Sequence, residues 1–107
     1  MDKSKLEALL EEAMVDCYNE EECFWGMFYT LEDYLTFPLQ AQTLGEAVTV
    51  VGLDDHRSRM RRGVMARVRK GDQEYTAALS ELEILSPNPV SAEWLAAYRY
   101  WLGEDSI

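Results

Sequence analysis

The sequence predicts an α+β protein in which two helices come first, short antiparallel strands follow, and a last helix ends the chain. Apolar residues recur at helical spacing in residues 6–35, strict two-residue alternation occupies residues 64–79, and helical spacing returns after residue 89. Helices and strands that are segregated along the chain are typical of the α+β class. Strands this short in an antiparallel meander favour a small barrel or a curled antiparallel sheet.

The N-terminal half carries the pattern of two amphipathic helices. The first is predicted over about residues 3–18, with acids on its polar face. Asn19 is a candidate N-cap for the second, predicted over about residues 20–35. This helix is expected to end before Phe37-Pro38, because the residue ahead of a proline is pushed out of the α region. The apolar stripe of the first helix is Leu6, Leu9, Leu10, Ala13, Met14 and Cys17.

The central part, about residues 38–85, is predicted to form the barrel or curled sheet. Candidate strands lie at residues 39–42, 47–51, 64–69, 74–79 and 82–85. Gly52 is expected to open a polar loop that includes residues 54–59. A C-terminal helix is predicted over about residues 90–102, capped by Asn88 or Ser91 and stopped by Gly103. Because the sequence contains no linker long enough to separate domains, residues 1–107 are predicted to form a single domain.

Composition restricts the classes of function. The 107 residues contain 20 acids and 10 bases, so the formal net charge is −10. This charge argues against a nucleic-acid binder and against docking on anionic lipid, and it favours cations and basic partners. No apolar run approaches a membrane span, and no signal peptide is recognisable, so we expect a cytoplasmic protein. Cys17 and Cys23 are interpreted as free thiols, because six residues apart in predicted helical sequence they point in different directions.

The charge is unevenly distributed. Residues 1–56 carry 13 acids and two lysines, and residues 71–107 carry seven acids and one arginine. Between them, residues 57–70 carry seven bases and no acid. This basic segment is either a plain solvated surface or a contact surface for an acidic protein or an RNA. The candidate contact residues are Arg57, Arg59, Arg61 and Arg62.

Catalytic signatures are not recognisable. The sequence shows no Gly-rich phosphate loop, no His-Glu-x-x-His and no cysteine pair at zinc spacing. His56 is the single histidine and is expected in an exposed loop among arginines, which does not suit a general base. Carboxylates near Cys17 and Cys23 disfavour a reactive thiolate, so a thiol-based regulator is a weak third hypothesis. We therefore expect a protein that is not an enzyme.

Clustered carboxylates indicate a site for a hard cation. Calcium takes six to eight oxygen ligands in proteins, and carboxylates supply most of them. No EF-hand loop is present, so a site would combine a helix end or loop with carbonyl oxygens and water. The clusters are Glu20-Glu21-Glu22, Glu32-Asp33 and Asp54-Asp55.

Four segments together resemble a family of small acidic bacterial calcium-binding proteins best known from cyanobacteria. The most recognisable runs from Phe24 to Ala41, with Leu-Glu-Asp and then an aromatic-Pro step. Residues 45–53, 77–83 and 98–102 resemble the family's first long strand, its Leu-Ser turn and its C-terminal aromatic helix. The resemblance spans about residues 20–102. It implies a small SH3-like barrel with helices packed on it, and Ca²⁺ bound through surface carboxylates.

The resemblance also implies which carboxylate clusters are the preferred calcium ligands. Glu32 and Asp33 match the family residue by residue and are the first choice as ligands, whereas Glu20–Glu22 match only as an acidic stretch. Where the family keeps acids after its first long strand, Asp54-Asp55 is followed here by arginines, which oppose a nearby divalent cation. The sequence predicts a weak calcium sensor or buffer. The alternative is a metal-independent interaction module whose basic loop contacts an acidic protein partner.

Overall fold

The computed structural model describes residues 2–103, which divide into two compact units. One unit holds the helices and comprises residues 2–35 and 88–103, and the other holds the strands and comprises residues 36–87. The single domain of residues 1–107 stays a prediction, and its ends, residue 1 and residues 104–107, lie outside the described residues. Within the described part of the chain, no helix is long and apolar enough to cross a bilayer.

Each helix begins with a side-chain cap. The helices are α1, Lys3–Ala13; α2, Glu20–Tyr34; and α3, Pro89–Leu102. The side chains of Asp2, Asn19 and Asn88 accept the backbone N–H three residues further on, at 2.8–2.9 Å, which satisfies an otherwise unpaired donor. Asn88, and not Ser91, is therefore the cap of α3. Gly103 ends that helix with a φ of +86°, where glycine carries no steric cost.

The first helix is shorter than predicted, and the prediction of free thiols is wrong. α1 ends at Ala13 and not near residue 18, and Asp16 has a φ of +63°. Cys17 and Cys23 form a disulfide with their Cα atoms 5.3 Å apart. The prediction placed both cysteines in helical sequence, but the chain turns after Ala13 and the two sulfur atoms meet.

Side chains and backbone connect the helices at several points. A Cβ added to Gly26 of α2 would lie 2.8 Å from the carbonyl oxygen of Ala13, so the two backbones pass very close at that point. Tyr34 of α2 stacks on Trp94 of α3, with ring centroids 5.0 Å apart. Nζ of Lys5 in α1 lies 2.8 Å from Oε1 of Glu93 in α3. The hydrogen bond and the negative charge of Glu93 raise the pKa of Lys5. The aromatic stripe predicted for the last helix is core here, since Trp94 and Tyr98 are buried.

The strand unit is one antiparallel sheet. Its strands are β1, Leu39–Thr43; β2, Glu46–Arg59; β3, Gly63–Lys70; β4, Gln73–Ala78; and β5, Glu83–Ile84. Their order across the sheet is β4-β3-β2-β1-β5, and a 3₁₀ turn at Leu79–Glu81 leads from β4 to β5. Among the described residues no pairing joins β4 to β5, so the sheet is open. The α+β class is confirmed, and closure into a barrel is not observed.

The polar loop predicted at residues 54–59 is instead the last part of β2. Asp54 pairs with Met65 and Arg59 pairs with Gly63, so β2 has extra residues in a bulge between these positions. Ser58 lies in the bulge and is fully buried. Its hydroxyl donates to the Asp54 carbonyl at 2.7 Å and accepts from the Met65 N–H at 2.8 Å. These two bonds replace the regular ladder and keep a polar sequence in the sheet.

The alternation predicted for β3 is confirmed. Val64, Ala66 and Val68 are fully buried, whereas Arg67 and Arg69 are exposed on the opposite face. Buried residues of β1 and β2 complete this side of the sheet. They are Leu39, Ala41, Val48, Val50 and Leu53. The sheet therefore has an apolar face and a face on which basic side chains meet solvent.

Candidate metal centre

Glu32 and Asp33 lie in the last turn of α2, and both side chains are exposed. No basic residue occupies this turn, and no ion pair joins either carboxylate to another described residue. The final carbonyl groups of a helix have no intrahelical partner and form the negative end of its dipole. The two exposed carboxylates therefore add their negative charge to the negative end of the helix dipole.

Glu20, Glu21 and Glu22 lie at the opposite end of the same helix. All three are exposed in the first turn, next to the capping Asn19. The positive end of the helix dipole already stabilises acids at this position. The same dipole repels a divalent cation, so this cluster is a poorer ligand set than the C-terminal pair.

Asp54 lies near an arginine and Asp55 lies near a histidine. The Asp54 carboxylate is 15% exposed, accepts the Arg57 backbone N–H at 3.1 Å and lies 4.0 Å from the guanidinium Nε of the same residue. Asp55 lies 3.7 Å from Nε2 of His56. A calcium ion here would compete with an arginine for one carboxylate and with a histidine for the other.

The described residues do not bring the clusters together. Within residues 2–103, no three Asp, Glu, His or Cys side chains are placed to hold one metal ion. The donor chemistry fits calcium, because exposed carboxylates and helix-end carbonyls are hard oxygen ligands. The arrangement fits a surface site with at most two carboxylates and a shell of carbonyls and water, and it does not form a cage.

The four predicted contact arginines gather at the end of the β2–β3 hairpin. Arg57 and Arg59 come from the bulged end of β2, and Arg61 and Arg62 come from the turn that follows. His56, Arg57, Arg59 and Arg62 line one surface cavity of about 410 Å³. We call these four arginines and His56 the arginine tip. What the sequence did not predict is that this tip has a defined concave shape.

Two functional features escaped the sequence analysis. The Cys17–Cys23 disulfide fixes the chain just ahead of the acidic first turn of α2, and only a six-residue spacing could have suggested it. Ser58 shapes the arginine tip from inside, and nothing in its sequence context distinguishes it from a solvated loop serine.

The open sheet, the three helices and the cation-attracting end of α2 define a small acidic α+β protein suited to a hard cation. Residues 7–102 match the Calci_bind_CcbP family model, whose description is calcium binding. The chain therefore belongs to the CcbP family of calcium-binding proteins, as the resemblance of its sequence implied.

Solved structures agree with this assignment. The crystal structure of Anabaena CcbP is 26% identical to this chain, with a TM-score of 0.82, and the match covers 95% of this chain and 91% of that one. A calcium binding protein in its calcium-binding form is 27% identical, with a TM-score of 0.81 and the same coverage. No curated protein matches the chain significantly.

Proposed function

We propose that this chain binds Ca²⁺ as a weak sensor or buffer, at the C-terminal end of α2, with Glu32 and Asp33 as its first ligands. One observation carries the choice of site. These two carboxylates are exposed, form no ion pair with a described residue and lie at a helix end that has no basic side chain. They also lie in the segment that most resembles the family.

The geometry argues for weak binding. Two carboxylates and a few helix-end carbonyls leave most of the six to eight positions around calcium to water. Sites with few protein ligands lie at the weak end of the calcium range, with a Kd on the order of 0.1–1 mM. Such a site changes occupancy only when calcium is abundant, which is the behaviour of a low-affinity sensor or buffer.

The other clusters remain second choices. Asp54 and Asp55 would have to be released from Arg57 and His56, and Glu20–Glu22 lie at the positive end of α2. A further acidic pair, Glu11 and Glu12, ends α1 within the matched residues 7–102, but it lies outside the most recognisable segment from Phe24 to Ala41. We propose a non-catalytic role, and a cytoplasmic location stays a prediction.

Calorimetric titration with Ca²⁺ in a magnesium background at physiological salt tests the function, and NMR amide shifts locate the site. We expect saturable binding with shifts centred on residues 31–35. In the double variant Glu32→Gln and Asp33→Asn, we expect the affinity to fall by about tenfold or more, since both charged ligands are removed.

Two variants of equal charge serve as controls. Glu20→Gln with Glu21→Gln changes the opposite end of the same helix, and Glu11→Gln with Glu12→Gln changes the end of α1. Both should keep most of the affinity. Absence of heat and of amide shifts at millimolar calcium would refute calcium binding by this chain. A larger loss in either control would instead refute Glu32 and Asp33 as the site.

A further inference from the structure

Three of the four arginines of the arginine tip have no carboxylate partner among the described residues. The chain has twice as many acids as bases, and three other basic residues are paired: Lys5 with Glu93, Arg69 with Glu74 and Lys70 with Glu46. At the tip, by contrast, the described residues provide no carboxylate partner for the side chains of Arg59, Arg61 or Arg62.

The tip is held in shape by its own backbone. The Arg59 guanidinium donates to the carbonyl oxygens of His56 and Ser58, both at 2.7 Å. Two such bonds use only part of the five guanidinium donors, so the remaining N–H groups can meet an external carboxylate. Among the described residues, no carboxylate lines the open surface cavity of about 410 Å³ at the tip. The concavity is therefore suited to an anionic group.

A second cavity adjoins the tip, and residues from the end of β1, from β3 and from β4 line it. It measures about 510 Å³ and shares Arg62 with the first cavity. The end of β1 contributes Thr43, the turn that follows contributes Leu44, and β3 contributes Met65. β4 contributes four consecutive residues, Tyr75–Ala78. Consecutive residues of a strand alternate between its two faces, so the cavity runs along the edge of β4. We call it the seam groove; Glu81 also lines it.

The edge of β4 is free to pair. β4 is the outermost strand of the sheet, and no described residue pairs with its outer side. An exposed edge presents a row of unpaired N–H and C=O groups to which an extended peptide can add as a new strand. The groove therefore supplies backbone hydrogen-bonding groups as well as side-chain surface.

Leu44 gives the groove an apolar wall at a steric cost. It is 99% exposed and has a φ of +52°, followed by Gly45 at +79°. Positive φ at both positions is the pattern of a type I′ hairpin turn, in which Asn-Gly or Asp-Gly is preferred and a bulky residue is an outlier. A leucine in this place is unfavourable for the turn and for solvation, which is expected where an apolar contact is made with a partner.

We propose that the arginine tip and the seam groove together bind an acidic, extended protein segment that carries one large apolar side chain. Its backbone pairs with the edge of β4, its apolar side chain lies against Leu44, Met65 and Tyr75, and its carboxylates reach the arginines of the tip. Charge complementarity selects this occupant, because three of the four arginines of the tip have no carboxylate partner among the described residues. This surface shares no residue with the proposed calcium site.

Fluorescence anisotropy with a defined probe tests the proposal on the full chain. The probe is a short fluorescein-labelled peptide of Asp and Glu with a central Phe, compared with the same peptide carrying Ser for Phe. We expect saturable binding that weakens as salt is added, because exposed charges are screened within about 10 Å at 0.1 M ionic strength. The peptide with Ser should bind more weakly. NMR should show amide shifts in residues 73–78.

Matched variants distinguish binding at this surface from an effect of net charge. Arg62→Glu alters both cavities. It should lower the affinity for the peptide by about fivefold or more, since it removes a proposed ion pair and adds repulsion. Leu44→Asn, which suits the turn, should also weaken it while leaving the protein folded. Lys3→Glu makes the same change of charge in α1 and should alter binding by less than about twofold.

Several outcomes would overturn the proposal. Equal weakening by Lys3→Glu and Arg62→Glu would mean diffuse attraction without a site. Tighter binding of a single-stranded RNA of matched length would assign the surface to nucleic acid. Unchanged amides at residues 73–78 would exclude pairing with β4. The titrations are made in chelator and again in calcium, and equal affinities are expected, so failure of the peptide does not bear on the calcium site.

Discussion

Ser58 decides at the scale of a single residue how the end of β2 is built. It is fully buried, and one hydroxyl serves as the donor to the Asp54 carbonyl and the acceptor for the Met65 N–H. A buried backbone group without a partner is costly, so this side chain allows the strand to bulge without losing its hydrogen bonds. The bulge in turn places Arg57 and His56 in the arginine tip.

Ser58→Ala removes both hydrogen bonds at once. We expect the free energy of unfolding to fall by about 1–3 kcal/mol, because a carbonyl and an N–H are left buried without partners. Urea denaturation followed by circular dichroism measures the change. Ser4→Ala, on the exposed face of α1, is the control and should stay within about 0.5 kcal/mol of the parent. Similar stabilities for the two variants would contradict the structural role given to Ser58.

At the scale of elements, the connection between α1 and α2 depends on covalent closure. The chain leaves the helix after Ala13, turns at Asp16 and is joined by Cys17–Cys23 across six residues. The close approach of Gly26 to the Ala13 carbonyl places α2 beside the end of α1. The disulfide therefore fixes the segment that leads into the acidic first turn of α2.

Removing the disulfide should loosen this connection. For a loop of this length, chain entropy predicts a loss of about 2 kcal/mol in the free energy of unfolding, on reduction or in a variant with Cys17→Ser and Cys23→Ser. Thermal melting with and without a thiol reductant measures it. The double variant should not respond to reductant. Two thiols titrating in the unreduced native protein would show that the disulfide does not form.

α2 also shows why the same residue type has different consequences at the two ends of an element. Glu20–Glu22 lie at its positive end, where the dipole stabilises acids, and Glu32 and Asp33 lie at its negative end, where it adds to their field. Both clusters contribute in the same way to the net charge of the chain. Their position on the helix is the reason why we propose the C-terminal pair as the cation site.

At the scale of the whole molecule, the excess of acids makes the folded chain responsive to cations. A net charge of −10 destabilises a compact state through self-repulsion, and a ligand that binds only the folded state adds stability by mass action. A weak calcium site is therefore visible in stability as well as in direct titration.

Calcium should raise the free energy of unfolding by about 2.7 kcal/mol at a hundredfold excess over the Kd. Thermal melting across a calcium series measures this, with sodium chloride at equal ionic strength as the control for screening. The variant with Glu32→Gln and Asp33→Asn should respond to calcium only as it responds to sodium chloride. If the parent chain shows equal shifts in both salts, calcium acts by screening alone and the linkage is absent.

Much of the fold was predictable because its signals are local. Helical and alternating periodicities located α2, α3 and β3, and Asn19 and Gly103 marked helix ends by the chemistry of capping. The end of α1 was not predictable, because its apolar stripe continues to Cys17 while the chain turns away. Glu32 and Asp33 were predicted as ligands from resemblance and stay a prediction, and their freedom from ion pairs became visible only in the structure.

The sequence alone determined the class of the protein: the order of helices and strands, the acidity and the membership of a calcium-binding family. Tertiary structure decided which charges remain free. Arg69 and Lys70 are neutralised by Glu74 and Glu46, while Arg59, Arg61 and Arg62 find no carboxylate partner among the described residues. The physical reason is that periodicity and capping act between near neighbours in the chain. Ion pairs, a disulfide and a groove along a sheet edge depend on which distant residues the fold brings together.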